Sequence, residues 1–101
     1  MLEIILREII AGTRPTPYHM TNGARLDWDA GAQQLTVTRI NRSPGEREIA
    51  IFKAYLKRIG YRASTSTPVE IAPGLNSWIG QRLQLVKIEQ PAPAASQGSL
   101  F

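Results

Sequence analysis

The residues able to do chemistry are few. The single histidine, His19, lies in TRPTPYHMTNG, beside Tyr18 and just before an Asn22-Gly23 turn signal. Loops often carry catalytic groups, and a Ser-His-Asp relay would have to run through His19. A metal site would have to join it to Asp27 and Asp29, a set with no supporting ligand spacing. Turn capping and solubility account for Asp27 and Asp29, which sit two apart beside a turn. The chain has no cysteine, which excludes thiol catalysis, disulfides, zinc fingers and iron–sulfur ligation. Gly74, Gly80 and Gly98 follow no phosphate-cradling pattern. The expectation is a protein that is not an enzyme and takes no cofactor and no metal.

Charge is more informative. The net charge is +4, from 12 basic and 8 acidic residues. It concentrates between Arg39 and Arg62, where seven basic residues face only Glu46 and Glu48, a local excess of +5. Arg39, Arg42, Lys53, Lys57, Arg58 and Arg62 are candidate contacts to nucleic-acid phosphates or to an acidic protein. A solvated helix face explains them equally well. No base-stacking aromatic platform accompanies them. Trp28 and Trp78 could line a binding surface, but core packing is the simpler role.

The segment Gln97-Gly98-Ser99-Leu100-Phe101 offers a second kind of chemistry. A glutamine, two spacers and Leu-Phe resembles the peptide by which bacterial polymerases and repair proteins dock on the sliding clamp, approximately Q-L-[SD]-L-F. Gln97, Ser99, Leu100 and Phe101 match; Gly98 replaces the usual leucine, which removes apolar contact. The resemblance covers five residues and none of the preceding chain. It implies that Leu100 and Phe101 fill the clamp's hydrophobic cleft while Gln97 hydrogen-bonds at its edge. Two such burials contribute ~1.5–3 kcal/mol each. Folding back onto the domain is the competing use of the same apolar pair.

These residues must be positioned by a small body. The 101 residues allow one domain, with 43% apolar and 20% charged residues, as in ordinary globular proteins. No apolar run approaches the ~20 residues of a membrane span. MLEIILREII carries Glu3, Arg7 and Glu8 and reads as no signal peptide, so a cytoplasmic protein without membrane contact is expected.

Leu2, Ile5, Leu6, Ile9 and Ile10 recur at helical spacing, with a β-branched strand as the competing reading, and Gly12 ends the element. Leu26 and Trp28 alternate with polar residues, Asp29-Ala30-Gly31-Ala32 turns the chain, and QLTVTRI returns as a strand. Ser43, Pro44 and Glu46 predict a helix start with Ser43 as N-cap. Ile49, Phe52, Tyr55, Leu56 and Ile59 form its apolar stripe, and Gly60 closes it. Residues 61–81 are rich in Ser, Thr, Pro and Gly, with a short strand expected at Val69-Glu70-Ile71. Trp78 and Ile79 are expected to pack, and RLQLVKIE over 82–89 reads as a last strand. From Gln90 the chain has no large apolar residue until Leu100, so 90–101 is expected to be a disordered tail behind a 1–89 domain. The fold class expected is a two-layer α+β domain, an antiparallel sheet packed by one or two helices.

Together these readings describe an accessory or regulatory protein of bacterial or phage DNA replication or repair, docked on the sliding clamp through Gln97, Ser99, Leu100 and Phe101. The alternatives are a basic nucleic-acid-binding module, or a mobile-element protein that inhibits a host protein. An exposed sheet edge could also pair two copies as a homodimer.

Overall fold

A computed structural model describes residues 1–72 and 74–88. The expected tail, 90–101, lies outside the described residues, as do Gln97, Ser99, Leu100 and Phe101. The described chain is an α+β domain. Its elements run α1 (Leu2–Ala11), β1 (Tyr18–His19), β2 (Arg25–Asp29), β3 (Gln34–Ile40), α2 (Glu46–Arg58), β4 (Tyr61–Ile71) and β5 (Trp78–Lys87). The five strands form one antiparallel sheet in the order β1-β2-β3-β5-β4.

The apolar stripe of α1 forms a helix, as its spacing predicts. Ile5, Leu6 and Ile9 are buried, and Gly12 stops the helix at φ 81°, a left-handed conformation that glycine adopts without strain. Two hairpins follow. Asn22 Oδ1 accepts the Ala24 N–H at 3.1 Å in the turn between β1 and β2. Asp29 Oδ1 accepts the Ala32 N–H at 3.1 Å between β2 and β3, the turn-capping role its position suggests. Register then places Leu26 opposite Val37 and Leu35 opposite Leu83. These residues, with Leu85, meet Ile5, Leu6, Ile9, Ile49, Phe52 and Leu56 in one buried cluster. Both helices therefore cover the same face of the sheet.

Three expectations need correction. Helix α2 begins at Glu46, with Gly45 as N-cap and no side-chain cap. Ser43 is not the cap: the chain is still bridging back from Arg42 to Arg39 there, and Ser43 Oγ reaches only the Pro44 carbonyl at 3.4 Å. Glu46 and Glu48 in the first turn and Lys57 and Arg58 in the last suit the helix dipole instead. The second correction is β4, an eleven-residue strand where only Val69–Ile71 was expected. Its serines and threonines suit a sheet edge that keeps one side wet. The third is β5, which begins at Trp78 rather than residue 82 and contains Gly80. A Cβ on Gly80 would lie 1.8 Å from the Val37 carbonyl oxygen, so this glycine permits a close approach of β3 and β5.

Candidate functional site

The sheet presents two surfaces with chemistry. On the helix-free face, register aligns Arg25, Thr38 and Gly80 in one row and Ile40, Trp78 and Ile71 in the next. His19 and Trp78 meet edge to face, with ring centroids 5.4 Å apart. The Arg25 guanidinium stands 5.5 Å from the Trp78 ring, and its Nε lies 3.0 Å from Asp27 Oδ2. Thr36 and Thr38 are buried on this face, and the Thr38 hydroxyl has no hydrogen-bond partner among the described residues. Trp78 is thus half-buried away from the main core, whereas Trp28 packs against that core. His19 faces an aromatic ring, Asp27 an arginine and Asp29 a turn, so the three do not converge. Among the described residues no three histidine, cysteine, aspartate or glutamate side chains lie close enough to hold a metal ion.

The second surface is the basic stretch. The structure divides its six candidates. Arg39 is held inside the fold: Nε and Nη2 donate to the two Glu48 carboxylate oxygens at 2.7 and 2.9 Å, and Nη1 donates to the Asn22 carbonyl at 2.8 Å. The hydrogen bond to Glu48 raises the Arg39 pKa further above its ordinary value, outweighing the opposing effect of burial. Arg42 is exposed in the β3–α2 connection. Arg58 lies 5.4 Å from the Tyr55 ring and borders a cleft with Arg7 and Ile10 at the end of α1.

Lys53, Lys57 and Arg62 do come together. They line one cleft of about 330 Å³ with Tyr61, Ala63 and Ile88. Helix spacing of four places the two lysines on one side of α2. The two-residue turn through Ile59 and Gly60, with Gly60 at φ 100°, brings Arg62 back beside them. Lys53 also borders an adjoining cleft with Glu46, Ile49, Ala50, Thr65 and Gln81, so the positive charge of the groove is concentrated at its Lys53–Lys57 end. Neither lysine nor Arg62 has an acidic partner among the described residues.

Sequence reasoning missed the strand side of this groove, because Tyr61, Ala63 and Thr65 stand in a stretch of loop-like composition. Their spacing of two was the available signal. No helix of the described residues is long and apolar enough to cross a membrane. Comparison with protein-family models, with curated proteins and with solved structures finds no match to this chain.

Proposed function

We propose that this chain is a cytoplasmic accessory protein of bacterial or phage DNA replication or repair, docked on the sliding clamp by Gln97, Ser99, Leu100 and Phe101. The observation that supports this reading is the QGSLF segment itself, a glutamine followed by two spacers and a Leu-Phe pair, standing beyond a domain whose buried cluster is built from α1, α2, β2, β3 and β5. Eight residues separate Ile88 from Gln97, a reach of up to ~27 Å when extended. Held there, the domain works at a raised local concentration near DNA, so weak contacts suffice.

The test is titration of the full chain, and of a labelled 90–101 peptide, with purified bacterial sliding clamp. The reading expects binding near micromolar strength, about −8 kcal/mol, lost on Phe101→Ala in both. Absence of saturable binding by either overturns it.

The convergence of Lys53, Lys57 and Arg62 favours a second reading, a nucleic-acid-binding module in which these three touch phosphates. It expects DNA binding that survives removal of residues 90–101 and falls steeply with salt.

A further inference from the structure

The sheet is incompletely filled beneath α2. β3 and β5 send Leu35, Val37, Leu83 and Leu85 toward the helices, and all four are buried. In the same layer β4 supplies Ala63, opposite Leu85, and Thr65, opposite Leu83. These are short side chains, and Thr65 is exposed. Two adjoining clefts of about 330 Å³ each remain between α2 and β4, sharing Lys53. β4 is also the last strand of the sheet. Over Tyr61–Thr65 no described strand pairs with its outer side, where alternate backbone N–H and C=O groups point away from β5. The register shift between Thr65 and Pro68 bounds this stretch.

We propose that the groove takes an extended acidic segment of a partner protein, added as a further strand to the outer edge of β4 over Tyr61–Thr65. Every second side chain of that segment faces α2, where apolar groups enter the two clefts and carboxylates flanking them meet Lys53 and Lys57, while a carboxylate on the intervening, opposite side meets Arg62, which pairs with Val86 there. Strand addition draws affinity from backbone pairing and specificity from pockets at every second residue, and this groove provides both. Charge selects the partner. A second copy pairing through β4 would bring two Arg62 side chains and two lysine rims together, a like-charge contact. Residues 89–101 contain one acid, Glu89, and cannot match three cations. A nucleic acid would satisfy the cations but leave the strand edge and the apolar clefts unused. The inference stands apart from clamp docking, since none of its residues belongs to the QGSLF segment.

The experiment uses the full chain, isotopically labelled, titrated with the acetylated and amidated peptide Glu-Thr-Val-Glu-Leu-Thr-Glu, whose Val, Leu and two terminal glutamates share one face and whose central glutamate lies on the other, and followed by amide NMR. The expected result is saturable shifts and slowed hydrogen exchange confined to β4 and the facing side of α2. The double variant Lys53→Glu/Lys57→Glu weakens binding about tenfold. So does Ala63→Leu, which fills a cleft, with its thermal melt confirming a folded domain. A peptide N-methylated at alternate amides binds about tenfold more weakly, because it cannot complete the ladder. No saturable shift up to about 1 mM peptide, shifts mapping elsewhere, or equal binding by the N-methylated peptide overturns the proposal. Tighter binding of oligo-dT to the same residues overturns it in favour of nucleic acid. Concentration-dependent dimerisation that protects β4 without peptide overturns it in favour of a second copy.

Discussion

Arg39 and Glu48 form a two-point pair, Nε to Oε1 at 2.7 Å and Nη2 to Oε2 at 2.9 Å, that joins the end of β3 to the first turn of α2. Both side chains are mostly buried, 15% and 19% exposed, so solvent screens the pair little. Arg39 also donates to the Asn22 carbonyl, tying in the turn between β1 and β2. One side chain thus connects three parts of the fold.

Arg39→Ala is expected to lower stability by about 2–3 kcal/mol, because it strands the mostly buried Glu48 carboxylate and loses the Asn22 contact. Glu48→Gln should cost less, about 1 kcal/mol, since an amide still accepts one bond. Urea denaturation of both singles and the double variant measures the coupling. The hydrogen bond to Glu48 raises the Arg39 pKa above its ordinary value, so its contribution is complete below that value and is lost only as pH climbs through the higher folded one. The Arg39 charge therefore adds no slope to stability between about pH 7 and 9, which a pH series of melts on wild type and Arg39→Ala would show as a constant difference.

Gly80→Ala is expected to destabilise by about 3 kcal/mol or more, since the new methyl would meet the Val37 carbonyl oxygen and the Thr38 Cα of the neighbouring strand. Gly31→Ala is the control. There the nearest atom is Asp29 Oδ1 at 3.5 Å, an ordinary contact, and the change should be within about 0.5 kcal/mol. Chemical denaturation of the two variants separates a backbone clash from general intolerance.

Phe52→Ala should cost about 3–5 kcal/mol. The ring is 2% exposed at the centre of the buried cluster, between the two helices and the sheet. In a domain this small such a loss approaches the whole stability, so a circular-dichroism melt should show a largely unfolded chain at 37 °C.

Trp78→Leu keeps an apolar side chain but removes the ring that faces His19 and Arg25. A loss of about 1–2 kcal/mol is expected. The His19 ring protons should move on substitution as the neighbouring ring current disappears. Unchanged His19 resonances would show that the aromatic contact does not persist in solution.

Local signals carried most of the fold. The stripe at Leu2, Ile5, Leu6 and Ile9, the Asn22-Gly23 and Asp29 turns, and the run from Ile49 to Ile59 each depend on neighbours within a turn or two. What escaped was set by distant partners. β4 is a strand because β5 pairs with it, and its Ser-Thr composition records an edge, not a loop. Ser43 looks like a cap until Arg39 and Arg42 bridge and delay the helix. The basic candidates were visible as a charge run, but whether each was free depended on contacts the run does not show. Arg39 found Glu48, nine residues on, while Lys53 and Lys57 met Arg62 only because of the turn at Gly60. The His19–Trp78 contact joins residues far apart in the chain and left no mark in either segment.

The strand order β1-β2-β3-β5-β4 has a consequence for how the protein is made. Among the described strands β5 is the last to leave the ribosome, yet it lies between β3 and β4. Until it emerges, the inner edge of β3 is bare, β4 has no neighbour, and Leu83 and Leu85 are missing from beneath the helices. The early elements can form the α1 helix and the first two hairpins, but not a closed layer. Folding is therefore a late event that waits for the middle of the sheet, and a nascent chain stalled before Trp78 is the form most exposed to proteases and to pairing with other unfinished strands.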